Sequence, residues 1–266
     1  MAITAAQVKE LRDRTGISMM KCKEAMEKCD GDMEKAVEWL RKQGLEAGNK
    51  RADKACNAGS IGIATNAQGG VMVLLGCETD FVANNEEFKA AVDAMAQAAL
   101  AGGLGEVAAL EAATVAGQPG AHLVKGLIAK LGENIKIVNV KRLAGAGVVA
   151  YNHGNRVAVL VSGSGDAEAL RLVAMHVAAS VPPPVSLDRA SVDPALLAKE
   201  KEIIAATPEV QAKPEAIRPR IVEGKLGRFY KEQVLLEQEM LLKNDDHSTV
   251  EKWAAARNTT ITGFVR

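Results

Sequence analysis

The sequence predicts an α+β fold: a three-helix module at residues 1–54, then a core of two related subdomains at 55–146 and 147–266. Each subdomain is expected to be a three-stranded antiparallel sheet backed by helices. Three observations predict this. Residues 1–54 carry apolar side chains at helical spacing in three short runs. A strand–turn–strand–helix pattern occurs twice, from Ser60 to Leu100 and from Gly147 to Ser180. A helix-then-strand pattern also occurs twice, from Val124 to Val140 and from Val250 to Val265. Internal repetition of this kind constrains the fold before single elements are assigned.

In the module, Thr4 and Gln7 form a capping box ahead of a helix carrying Val8 and Leu11. Ser18 is placed to cap a second helix with Met19, Cys22, Ala25 and Met26 on one face. Asp30-Gly31-Asp32 breaks the chain. A third helix then carries Met33, Ala36, Val37 and Leu40 and is expected to end at Gly44. Gly48 to Lys54 reads as a linker or an exposed helix.

Each core subdomain starts with a hairpin. Asn66 to Gly70 joins one pair of strands, Ser60 to Thr65 and Val71 to Gly76; His153-Gly154-Asn155 joins the other, Gly147 to Asn152 and Val157 to Gly163. Helices from Phe88 to Leu100 and from Ala167 to Ser180 follow. The subdomains close with the strands Ile135 to Val140 and Thr259 to Val265. In the second, Pro182-Pro183-Pro184 ends a helix. Leu196, Ile203 and Val210 then recur every seven residues, and Ile217 and Ile221 resume helical spacing. Residues about 190–228 therefore read as an inserted helical hairpin, a short coiled-coil arm with little core of its own.

Composition excludes several function classes. Only 3% of residues are aromatic, so the cores must be built from Ala, Val, Leu, Ile and Met. The 33 basic and 33 acidic residues balance, which argues against a nucleic-acid binder, since neutralising phosphates needs a basic face. Cys22, Cys29, Cys56 and Cys77 make no Cys-x-x-Cys pair and read as free thiols of a reducing cytosol. The start of the chain lacks a signal-peptide pattern. No apolar run approaches the roughly 20 residues of a membrane span, so a soluble cytoplasmic protein with no membrane contact is expected.

A search for chemistry finds little. Gly145-Ala146-Gly147-Val148-Val149-Ala150 fits a dinucleotide fingerprint, but it leads into a strand, not a helix. There is no phosphate-binding loop motif. His122, His153, His176 and His247 lack metal-site spacing, and His176 on an apolar helix reads as a core histidine. No cofactor, metal or enzymatic activity is expected.

One segment breaks the pattern of a simple core. After the strand ending near Leu75 comes Cys77-Glu78-Thr79-Asp80-Phe81-Val82-Ala83-Asn84-Asn85. Asp80 can cap a turn while Phe81 folds into the core. Alternatively, Asp80 and Phe81 form an acidic-aromatic wedge offered to another protein, where aromatic residues serve as binding hot spots. His153, at a hairpin tip, is either a turn residue or a contact. Residues 1–54 alone also suit a helix-binding adaptor.

The motifs taken together resemble bacterial elongation factor Ts, the exchange factor for elongation factor Tu. They are Leu11-Arg12, Thr15-Gly16, Met19-Met20 and Cys22-Lys23; Gly31-Asp32-Met33-Glu34-Lys35-Ala36; Trp39-Leu40-Arg41; and Thr79-Asp80-Phe81-Val82. Gly132-Glu133-Asn134-Ile135, Met175-His176-Val177-Ala178-Ala179-Ser180 and Ile261-Thr262-Gly263-Phe264-Val265-Arg266 complete the set. Gln118-Pro119-Gly120 and the triple proline depart from the family's pattern.

The resemblance implies a module like a ubiquitin-associated domain, a two-part core and a helical arm. It implies a guanine-nucleotide exchange factor that binds GDP-bound and nucleotide-free elongation factor Tu; a homodimer or 2:2 complex stays open. It places the wedge at Asp80 and Phe81, flanked by Thr79 and Val82, near the partner's Mg²⁺ region. Further contacts carried over are Leu11, Met19 and Met20 in the module, the pair Leu131 and Gly132, and His153.

Overall fold

The computed structural model describes residues 3–51, 54–243 and 245–266. Tertiary contacts divide the chain into two compact units, residues 1–64 with 71–142, and residues 65–70 with 143–266.

The first unit opens with α1 (Ala5–Thr15), α2 (Met19–Lys28) and α3 (Met33–Arg51). Thr4 caps α1 through the expected box: its hydroxyl accepts the Gln7 amide at 3.3 Å, and Gln7 Oε1 accepts the Thr4 amide at 3.0 Å. Ser18 precedes α2 but makes no side-chain cap bond. Asp30 and Gly31 take left-handed backbone (φ 51° and 84°) to turn the chain into α3. Asp32, not a residue of the expected break alone, then caps α3 by accepting the Lys35 amide at 3.0 Å. Gly44 does not end α3, which runs on to Arg51. Positions 52 and 53 of the expected linker lie outside the described residues.

The three helices bury Val8, Leu11, Ile17, Cys22, Ala25 and Met26, among others, in one cluster. Met19, expected on the same face, is instead 40% exposed. It sits at the very start of α2, where a core this small has already ended.

The rest of the unit comprises β1 (Ala58–Asn66), β2 (Gly69–Cys77), α4 (Asp80–Ala83), α5 (Glu86–Ala101), α6 (Val107–Ala112), β3 (Thr114–Val115), β4 (Gln118–Pro119), α7 (Gly120–Leu131) and β5 (Lys136–Ala144). Its main sheet has the order β1-β2-β5. The two-residue connection after Asn66 makes β1 and β2 an antiparallel hairpin. Val71, Val73 and Leu75 of β2 bury against Phe88, Val92 and Met95 of α5. Gly62 lets β1 approach α5 closely as well, since a Cβ there would stand 2.6 Å from the Val92 carbonyl oxygen. Gln118-Pro119 pairs antiparallel with Thr114-Val115 and leads directly into α7. α7 packs on α3 and contributes Ala129 to the module's core.

The second unit contains β6 (Val149–His153), β7 (Val157–Ser164), α8 (Ala167–Ala179), α9 (Pro194–Ala206), α10 (Pro208–Gln211), α11 (Arg218–Gln233), α12 (Val250–Ala255) and β8 (Thr260–Val265). Its sheet, β6-β7-β8, is antiparallel, with Tyr151 opposite Val159 and Val161 opposite Phe264. The run from Gly145 that resembled a dinucleotide fingerprint leads into β6, a strand. Val161, Leu170, Val173, Trp253 and Ile261 form the core.

The inserted helices differ from the expected heptad. Ile203 is 53% exposed, and its neighbour Ile204 points inward. A heptad seam needs one continuous helix, but α9 ends before Thr207-Pro208, so the register restarts. The insertion also has more core than expected: Val192, Ile204, Val210, Leu226, Phe229 and Val234 bury together. Ion pairs from Lys201 to Glu223 at 3.7 Å and from Lys225 to Glu209 at 2.5 Å run along its surface. Among the described residues, no helix is long and apolar enough to cross a membrane.

Candidate partner-binding site

The chain leaves β2 at Cys77 and enters α4, a single helical turn, through Thr79. The Thr79 hydroxyl accepts the Val82 amide at 3.4 Å, and the Asp80 carbonyl accepts the Asn84 amide at 3.0 Å. Asn85 then caps α5, accepting the Glu87 and Phe88 amides at 2.9 and 3.2 Å. A closed helical turn sends successive side chains in different directions. Val82 and Ala83 therefore enter the core, while Asp80 is exposed and Phe81 is 84% exposed. Seven residues on, Phe88 is fully buried, so this unit can bury a phenylalanine. Leaving Phe81 outside forgoes roughly 1.5–3 kcal/mol of burial.

The turn is held from behind by the loop between α7 and β5. Glu133 Oε2 accepts the amides of Glu78 and Thr79, each at 3.0 Å. Glu133 Oε1 accepts the Thr79 hydroxyl at 2.5 Å. In return, Glu78 Oε1 accepts the Asn134 amide at 2.7 Å, and the Asn134 side chain donates to the Lys54 carbonyl at 2.6 Å. The Cys77 thiol donates to the Thr79 carbonyl at 3.1 Å. Burial pushes that thiol up to about 11, with the Glu133 charge adding to the effect. It is a structural donor, not a nucleophile.

The other residues singled out in sequence fall into three groups. Met20 is 75% exposed beside the less exposed Met19. Leu131 and Gly132 are half-buried, and Gly132 ends α7 in left-handed backbone (φ 75°). His153 is exposed in the second unit, with Nδ1 2.9 Å from the Tyr151 hydroxyl. Two expectations are corrected. Leu11 is completely buried in the module's core, and Val82 is buried in the first unit's core, so neither presents a contact surface. Thr79 is half-buried with its hydroxyl already engaged, which makes it a support for the turn. Glu133 and Asn134 were not singled out. They stand in the quoted Gly132-Glu133-Asn134-Ile135 run, but their role depends on a contact across more than 50 residues of chain, which spacing does not reveal. Among the described residues, no group of three or more His, Cys, Asp or Glu is placed to hold a metal ion.

Comparison with known proteins bears on this geometry. Residues 78–266 match the family model described as Elongation factor TS. The chain belongs to the elongation factor Ts family. Residues 1–50 match a second model, described as Elongation factor Ts, mitochondrial, N-terminal. The chain is 42% identical to elongation factor Ts of Maricaulis maris (strain MCS10), over 99% of this chain and 91% of that protein. Elongation factor Ts of Ruegeria pomeroyi (strain ATCC 700808 / DSM 15171 / DSS-3) is 40% identical over 100% of this chain and 92% of its own. That of Rhodopseudomonas palustris (strain BisA53) is 44% identical over 89% and 80%. The stretch matched to the elongation factor Ts family includes both the Asp80-Phe81 turn and the Glu133 latch.

Proposed function

We propose that this protein binds elongation factor Tu in its GDP-bound form and promotes release of GDP, so that GTP can rebind, without catalysing a chemical step. The observation that carries this reading is Phe81, 84% exposed on a turn clamped by Glu133. An exposed aromatic side chain on a rigid support enters a partner's pocket with little loss of its own freedom. Phe81 wedges near the partner's Mg²⁺ and nucleotide site, and Asp80 brings a negative charge or a competing acceptor to it. Met19 and Met20 give the UBA-like module an adaptable apolar docking face. Leu131, Gly132 and His153 make further contacts. On this reading residues 1–54 are the docking module, 55–146 and 147–266 the core subdomains, and about 190–228 a helical arm. The protein acts in the cytoplasm, as a monomer, a homodimer or a 2:2 complex with its partner.

The test is release of fluorescent GDP from the cognate elongation factor Tu with substoichiometric amounts of this protein. Acceleration is expected. Linkage further requires GDP to weaken the complex by the same factor that the complex weakens GDP. An affinity for elongation factor Tu that saturating GDP leaves unchanged would sink the exchange reading.

A further inference from the structure

A cavity of about 290 Å³ lies within the first unit, where α7 meets α1 and α3. It is separate from the Asp80-Phe81 turn and shares no lining residue with it. Its walls have two characters. Ile17, Val37, Leu40 and Ala129 form an apolar floor, while Arg14, Arg41, Lys125 and Lys130 stand around it. Among the described residues, no acidic side chain lines it. Arg14 is paired with Glu34 at 2.7 Å and Lys130 with Glu87 at 2.5 Å. Among the described residues, Arg41 and Lys125 have no ion-pair partner, although Glu38, held by Lys42 at 2.8 Å, stands in the vicinity of Arg41. Thr15 and Gln118 add neutral hydrogen-bonding groups. Gly126 lines the cavity in the middle of α7, and a Cβ there would meet nothing within 4 Å. A helix interior favours almost any other residue over glycine, and here the missing side chain leaves the mouth open.

We propose that this cavity binds a small amphipathic anion, with an apolar ring or chain over Ile17, Val37 and Leu40 and a phosphate or carboxylate between Arg41 and Lys125. The volume is at the small end of ligand sites, which suits a single ring bearing one anionic group. Two lining cations that form no ion pair among the described residues, beside an apolar lining, favour such a ligand over a neutral one of equal size, because the anion gains charge-assisted hydrogen bonds. A free inorganic anion would leave the floor uncovered and bind more weakly.

The experiment is an amide NMR titration of the full-length protein with phenyl phosphate, with inorganic phosphate and phenol as separate arms. Saturable shifts are expected at Ile17, Gly126 and Ala129, with a dissociation constant of about 1 mM or tighter, a reasonable limit for so few ligand atoms. Phosphate alone and phenol alone should each bind at least about tenfold more weakly, a tenfold step being about 1.4 kcal/mol. Arg41→Glu with Lys125→Glu should weaken phenyl phosphate binding at least about tenfold, and Gly126→Leu should block it, while neither protein melts at a lower temperature than the parent. Shifts scattered over surface lysines, binding unaffected by the double charge reversal, or phosphate binding as well as phenyl phosphate would each overturn the proposal.

Discussion

Thr79 gives two hydrogen bonds to one carboxylate: its hydroxyl donates to Glu133 Oε1 at 2.5 Å and its amide to Oε2 at 3.0 Å. The Glu78 amide adds a third bond to the same group. Hydrogen bonds to a charged partner contribute about 1.5–3 kcal/mol each when shielded from water, less when part-exposed. The latch therefore fixes the backbone that carries Phe81, and a fixed side chain loses less entropy on insertion into a partner.

Glu133→Ala should lower stability by about 2 kcal/mol in chemical denaturation, because three donors lose their acceptor at once. It should also slow GDP release per folded molecule several-fold, although Phe81 is untouched. Alkylation of Cys77 should quicken, since local opening exposes a thiol whose reactivity is otherwise suppressed by burial. A stability loss with unchanged exchange would leave the latch as ordinary scaffolding.

Replacing both Asp80 and Phe81 by alanine should leave stability within about 0.5 kcal/mol, as surface substitutions do. A core phenylalanine would instead cost about 3–5 kcal/mol, a range that the 84% exposure of Phe81 makes implausible. GDP release should fall at least about tenfold, equivalent to ~1.4 kcal/mol in the barrier. Melting temperature and nucleotide release measured on the same double mutant separate a wedge from a surface turn with no role.

Leu11 and Met20 should behave oppositely. Leu11 is fully buried, so Leu11→Ala should cost about 2–5 kcal/mol and unfold much of a module this small. Met20 is 75% exposed, so Met20→Ala should leave the fold intact and weaken binding to elongation factor Tu. Circular dichroism paired with calorimetric titration reads both effects; a destabilised Met20→Ala protein would contradict the placement of that residue.

The alternation and helical spacing of apolar residues made both hairpins, the closing strands and most helices legible, because burial on one face leaves a periodic mark. Where several forces compete, the pattern was not enough. Glycine at position 44 is a weak helix breaker, costing about 1 kcal/mol against alanine, and α3 continues through it. The seven-residue spacing of Leu196, Ile203 and Val210 ignored the break at Pro208, so it selected Ile203 where Ile204 is buried. Leu11 and Val82 carry the same apolar character as the exposed Met20 and Phe81, and only packing separates core from surface. The exposure of Phe81 was left open by composition for the same reason. Glu133 shows the limit most clearly, since a carboxylate's partner across the chain leaves no local signature.

The last prediction concerns His176, 1% exposed in the second unit. The Leu241 amide donates to its Nδ1 at 3.2 Å, so that nitrogen carries no proton. Its Nε2 lies 2.9 Å from Gln238 Oε1 and is the donor. The Gln238 amide is itself oriented, because its Nε2 donates to the Glu232 carbonyl at 2.7 Å. A second proton on His176 would face the Leu241 N–H directly, and burial pushes the imidazole's pKa below its ordinary 6.5. The unfolded chain therefore takes up this proton before the folded one does. Stability from the neutral ring is complete above pH 6.5 and is lost as pH falls from there toward the depressed folded value, at up to about 1.4 kcal/mol per pH unit. His247 has the opposite sign. It is solvent-exposed beside Glu239, its pKa is raised, and what it contributes is present at low pH and lost as pH rises. Urea denaturation of the parent and His176→Gln proteins between pH 7.5 and 5 isolates the buried ring. The variant should be less stable at pH 7.5 and lose less on acidification. Parallel stability curves for the two proteins across that range would show that His176 is not the acid-sensitive group.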